Sequence, residues 1–185
     1  MFIEFQPDQV GLKEVAREAG VSHALITHYF GTYAGLIEAA LERRLRAIRE
    51  SALLRLRQAG ALSRPTELLA VLFSALDDPV HLRLTRWLLA SERPSAVHAF
   101  ALRDHGLQII AHQVASAMHP DPGRALIAKV EIALLTAVSA AYGYAIGKHA
   151  FVAALGRTAS AELDTEVLRG LAAMLEAHLR SGDES

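Results

Sequence analysis

The stretch AGVSHALITHYFGTYAGL, residues 19–36, decides how the rest of the chain is read. A turn-forming Ala-Gly-Val-Ser leads at once into a helix of barely two turns, and a Gly-Thr start signal follows it. Gly20 suits the left-handed backbone that ends one helix, and Ser22 carries the side-chain oxygen that caps the next. In LKEVAREAGVSHALITHYF, residues 12–30, the apolar Val15, Ala16, Ala19, Val21, Leu25 and Ile26 can close a small core. Ala16 and Ala19 are small enough for two helices to cross closely. His23, Ala24, Thr27 and His28 are left facing outward, with Tyr29 near the end. Two short helices joined in this way form a helix-turn-helix, whose second helix lies in a DNA major groove. A Gly-Val-Ser turn also joins ordinary helical hairpins, so the turn alone leaves both readings open. The next element weighs toward the first. Phe30-Gly31-Thr32-Tyr33-Ala34-Gly35-Leu36 sets an aromatic under the motif and begins a long helix, its positive N-terminus pointing where a phosphate would lie.

Working outward, strand signals are nearly absent, and Ala, Leu, Arg and Glu recur at helical spacing, so the fold class is all-α. The punctuation predicts helices over 12–19, 22–30 and 32–58, then one from Pro65 and one from Pro79, each with Pro near its first turn. Arg93-Pro94-Ser95 opens a helix to about Met118, a long apolar helix follows Gly123 to Leu155, and Asp164 is expected to cap a last amphipathic helix to Arg180.

The chain has 185 residues, enough for a sizeable core, and 52% of them are apolar against 12 Gly and 6 Pro, which argues against extended disorder. With no cysteine there is no disulfide, thiolate nucleophile or Cys-ligated zinc, which fits a reducing cytoplasm. The net charge of −1 argues neither for nor against an acidic partner. The longest uncharged run, Ile132 to Gly147, falls short of the ~18–20 residues of a membrane span and reads as a helix buried on several sides. MFIEFQPDQV carries Glu4 and Asp8 and no basic start, so no secretory signal is expected and the location is cytoplasmic, with no membrane partner.

AREAGVSHALITHYFGTYAGLIEAAL, residues 16–41, resembles the DNA-binding domain of the TetR family of transcriptional repressors. The likeness covers residues 1–46 with motif-level detail and the remainder by helix pattern alone. It implies a three-helix-type domain over 1–46, with its first helix shortened, and a larger helical ligand-binding and dimerisation domain over 47–185. It further implies a homodimer that holds a double-stranded operator and releases it when a small effector respaces the two recognition helices. DNA contact falls to Ser22, His23, Ala24, Leu25, Thr27, His28, Tyr29, Thr32 and Tyr33. Three departures qualify this. The family has an aromatic at Thr27 and a Lys at Tyr33, and Met1-Phe2-Ile3-Glu4 resembles the end of a first helix, so the chain reads as starting in mid-helix. Phe2, Val15 and Phe30 are then expected to be poorly covered.

Charge points the same way. Lys13 and Arg17 face Glu4, Asp8, Glu14 and Glu18 in residues 1–30, a balance of −2, which is weak for phosphate binding. Arg43, Arg44, Arg46 and Arg49 offer either a phosphate contact or a solvated helix face.

In the C-terminal part, Val167, Leu168, Leu171, Leu175 and Leu179 form a helical stripe, and Gly143 and Gly147 allow close approach of another backbone. The resemblance pairs these last two helices with their copies; monomer core is the alternative. A pocket for a mostly apolar effector is expected to use Trp87, Phe100, His105, Gln108, His112 and Tyr142, residue types that also serve as plain packing or surface. His98, His105, His112 and His119 recur every seven residues, about 10 Å apart along a helix, too far to share one metal ion. No metal, cofactor or catalytic motif is evident, which argues against an enzyme. The rival is a dimeric helical ligand-binding or interaction module that has lost DNA binding.

Overall fold

The structure is a computed structural model and describes residues 10–59, 64–76, 78–90 and 106–181. Among these residues it has eight helices and no strand: α1 (Leu12–Glu18), α2 (His23–Phe30), α3 (Tyr33–Ala59), α4 (Pro65–Ala75), α5 (Pro79–Ala90), α6 (Gly106–Met118), α7 (Arg124–Ala154) and α8 (Ala161–Arg180). The chain forms two compact units, Met1–Ile48 with Asp78–Asp104, and Arg49–Asp77 with His105–Ser185. The division crosses α3, and α5 returns to the first unit although it lies beyond the sequence boundary expected at residue 46. The expected helix start at Arg93 lies outside the described residues, and α6 is described from Gly106.

In the first unit Ile37 and Leu41, one turn apart on α3, pack with Val80, Leu84 and Leu88, successive turns of α5, while Tyr33, Ala40, Leu45 and Trp87 close the rim. Asp78 fastens this pair of helices. Its Oδ1 accepts the N–H groups of Val80 (2.9 Å) and His81 (3.2 Å), capping α5, and its Oδ2 meets the Arg44 guanidinium on α3. His81 and Thr85 are fully buried one turn apart. Burial holds the His81 imidazole below its ordinary range, with Arg44 acting in the same direction and Asp78 against them.

In the second unit Ala133 and Ala137 of α7, Leu69 of α4, and Ala172 and Leu175 of α8 form one cluster; Ala111, Val114 and Ala115 of α6 with Val130 of α7 form another. Alanine stripes let these helices approach closely. Ser160, rather than Asp164, caps α8, accepting from the Leu163 N–H at 3.2 Å. Asp164 sits in the first turn and is engaged across helices by the Tyr144 hydroxyl (2.8 Å) and the Lys148 ammonium (2.6 Å) of α7. Burial raises its carboxyl, but these two bonds outweigh that and hold it below the usual range.

α7 corrects one expectation. It is not buried on several sides: only 22% of its most apolar window is covered, and Ile132 and Leu135 are more than half exposed. The fold covers its alanine stripe and leaves the opposite apolar side open. By length and composition this 31-residue helix is also long and apolar enough to cross a membrane.

Candidate nucleic-acid interface

The turn between α1 and α2 is built by its backbone. Gly20 has φ +67°, its N–H returns to the Arg17 carbonyl (3.2 Å) and the Val21 N–H to the Ala16 carbonyl (3.0 Å). That pair of bonds is the Schellman ending, which needs a residue tolerant of positive φ at the Gly20 position. Ser22 follows in extended backbone, and its Oγ accepts the Leu25 N–H at 3.1 Å. α2 ends at Gly31, also at φ +67°, and the Thr32 hydroxyl oxygen accepts the Gly35 N–H at 3.1 Å at the start of α3. Gly35 is required by proximity: a Cβ there would fall against the Phe30 carbonyl oxygen.

Within α2 only Ile26 is buried. Ser22, His23, Ala24, Leu25, Thr27, His28, Tyr29 and Thr32 are all exposed, so eight of the nine residues expected to meet DNA share one accessible segment. Tyr33 does not join them. It is half-buried, its ring edge-on to Trp87 of α5 with centroids 5.9 Å apart. The Thr27 hydroxyl donates to the His23 carbonyl (3.0 Å), which leaves its oxygen lone pairs and its methyl outward. The His28 and Tyr29 rings meet edge to face at 5.4 Å.

The small core is thinner than the sequence predicts. Ala16 and Ile26 are buried and Val15 is half-buried, but Ala19, Val21 and Leu25 are exposed, and Phe30 is 38% exposed. Phe2 lies outside the described residues. Of the arginines on α3, Arg44 is held by Asp78 and Arg46 by Glu42 at 3.2 Å, whereas Arg43 is exposed. Asp78 was missed as a partner because 34 residues separate it from Arg44.

The expected effector-pocket residues are distributed. Trp87 lies in the first unit; Gln108 and His112 are exposed on α6, and Tyr142 is half-buried on α7, in the second. Phe100 and His105 lie outside the described residues. Among the described residues no cluster of three or more His, Asp or Glu side chains is arranged to hold a metal.

The family model for bacterial regulatory proteins of the tetR family matches residues 1–40. Over 67 residues the chain is 37% identical to the HTH-type transcriptional regulator BetI of Cronobacter sakazakii, a match covering 36% of this chain and 33%, about a third, of that protein. Residues 1–40, with their Schellman-ended α1, Ser-capped α2 exposing its polar side chains and close glycine junction to α3, are thus similar to the N-terminal region of tetR-family bacterial regulatory proteins.

Proposed function

We propose that this protein is a ligand-responsive transcriptional regulator, acting in the cytoplasm as a repressor that leaves a palindromic operator when a small, mostly apolar effector binds. The observation that carries the reading is the exposed polar face of α2, mounted on local caps at both ends. The description of its relative as a transcriptional regulator supports it. On this reading His23 and His28 offer ring nitrogens to base edges. Thr27, its proton committed to His23, offers an acceptor to an adenine or cytosine amino group, or its methyl to thymine. Thr32 and the first turn of α3 would face a phosphate.

The bare sides of α7 and α8 support a homodimer. Ile132 (55% exposed), Leu135 (57%) and Met174 (71%) stand out there, and nothing lies within 4 Å of where a Cβ would be at Gly143 or Gly170. A second copy would cover this surface and set two α2 helices against two half-sites. With Arg44 and Arg46 held by carboxylates, phosphate neutralisation is modest, and each phosphate contact steepens the log–log salt dependence by ~0.9. Titration of the chain against DNA from the promoter beside its own gene, at several salt concentrations, tests the proposal. Saturable, salt-dependent binding that Thr27→Ala with His28→Ala weakens, the dimer remaining intact, supports it. Absence of such binding, with a dimer still present, favours the module that no longer reads DNA.

A further inference from the structure

The outward face of α2 is defined by what it lacks. From Ser22 to Tyr33 the chain carries no Arg, Lys, Asn, Gln, Asp or Glu. Those residue types make the hydrogen-bonded contacts that read three of the four bases in the major groove: Arg or Lys at guanine, Asn or Gln at adenine, and Asp or Glu at the cytosine amino group. Lys13 and Arg17 are exposed, but they stand on α1, the helix that crosses the sugar-phosphate backbone in a helix-turn-helix.

Apolar surface takes their place. At about 100° per residue, Ala24 and His28 lie opposite the buried Ile26, His23 and Thr27 share one flank, and Leu25 and Tyr29 share the other. The first flank is polar, its Thr27 hydroxyl donating to the His23 carbonyl. On the second, Leu25 is 44% and Tyr29 73% exposed, and Ala24 extends this apolar surface toward the centre of the face. The Tyr29 ring meets the His28 ring edge to face at 5.4 Å, which ties the apolar flank to the polar residue at the centre.

Of the groups that base pairs present in the major groove, the thymine C5-methyl is the apolar one. Successive bases on a strand are about 3.4 Å apart, so adjacent thymines set their methyls in a continuous strip. Such a strip covers the Leu25 side chain that the folded chain leaves in water, and one docking seats both flanks.

We infer that the Ala24, Leu25 and Tyr29 flank reads thymine methyl groups, and that each half-site carries adjacent thymines beneath it. This specificity rests on the regulator reading given above and names the base pairs it selects.

The test removes the methyls alone. The full chain is titrated against the shortest footprinted duplex from the promoter beside its own gene, and against the same duplex with deoxyuridine at every thymidine. The exchange keeps the hydrogen-bonding groups of both grooves. Each lost methyl contact should weaken binding about fourfold. The deoxyuridine duplex, which loses contacts in both half-sites, should therefore bind at least tenfold more weakly. Leu25→Ala, at an exposed position outside the core, should leave thermal unfolding in place, weaken the thymidine duplex, and cut the ratio of the two affinities at least threefold. That second comparison separates a lost contact from any change in the duplex itself, which the variant would feel equally. Equal affinity for the two duplexes, or a ratio that Leu25→Ala leaves unchanged, would overturn the methyl readout, while saturable binding of the thymidine duplex would keep the regulator reading. No saturable binding of the thymidine duplex would remove both.

Discussion

Gly35→Ala tests whether the junction between α2 and α3 is as close as the structure has it. At an unconstrained helical position this change stabilises a protein by roughly 1 kcal/mol, through helix propensity and a less entropic unfolded chain. Here the added Cβ would fall against the Phe30 carbonyl oxygen, well inside the 3.0 Å that real Cβ atoms keep, and the obstacle is backbone, which cannot rotate away. Relief requires α2 and the first turn of α3 to part, an overpacking cost of about 1–3 kcal/mol. The clash exceeds the propensity gain, and the net expectation is a loss of about 1 kcal/mol, seen in thermal unfolding as a fall of about 2–4 °C for a chain of this size. The functional effect should be larger than the thermal one. Parting these helices moves the exposed face of α2 relative to the α3 N-terminus, so the two could no longer meet base edges and phosphate together. Promoter affinity should fall about tenfold, equivalent to about 1.4 kcal/mol, with the dimer unchanged. A Gly35→Ala protein that melts higher than the parent and binds DNA equally well would refute the close approach and the shared role of these two elements.

Tyr144 is pushed up to about 12 from 10.0 by burial and by its bond to Asp164. A group raised in the folded state contributes stability that is complete below its unfolded value and is lost as pH climbs through the folded one. Tyr144→Phe should therefore flatten the fall in urea-unfolding free energy above pH 10. His81 is shifted the other way, lowered from 6.5 with burial as the leading cause, so its contribution is present above pH 6.5 and lost as pH falls below it. His81→Gln should reduce the acid slope of unfolding in that window, measured by the same urea titrations. Leu135→Glu, at a 57% exposed position on the bare side of α7, should convert the proposed dimer to folded monomer in sedimentation and raise the DNA concentration needed for half-saturation; a dimer that persists would place the interface elsewhere.

What the sequence made legible is what is decided locally. The Ser22 cap reaches three residues and the Gly20 ending spans five, so the residue types that perform them stand next to the positions they serve. The α2 boundaries follow from them. The misread cap of α8 shows the limit. Ser160 and Asp164 are both acceptable caps by composition, and what separates them is that Tyr144 and Lys148, twenty and sixteen residues earlier on another helix, occupy the Asp164 carboxylate. Arg44 is the same case at longer range. On a helix surface it reads as available to phosphate, but Asp78 uses it to fasten α5 to α3. Periodicity failed differently on α7. A helix apolar on all sides signals that its surface must be covered, but not by what, and the chain itself covers little more than the stripe of Ala133, Ala137 and Ala141.

These misreadings bear on how the proposed regulator would hold DNA. Two of the arginines nearest the motif are held by carboxylates, and α2 presents two histidines and one threonine with its proton already donated. Each good base contact discriminates by only about 1–3 kcal/mol, and there is little phosphate binding to add to it. One copy of α2 is therefore too weak a reader to find a site. Two copies held rigidly add their contacts for a single loss of translational freedom, which puts the burden of affinity on the spacing between them. On that reasoning the uncovered side of α7 is part of the DNA-binding apparatus: Leu135→Glu, more than 100 residues from α2 in sequence, should impair operator binding at least as much as Thr27→Ala. Were the α2 substitution alone to abolish binding while Leu135→Glu left it intact, the monomer would be a sufficient reader and the spacing argument would fail.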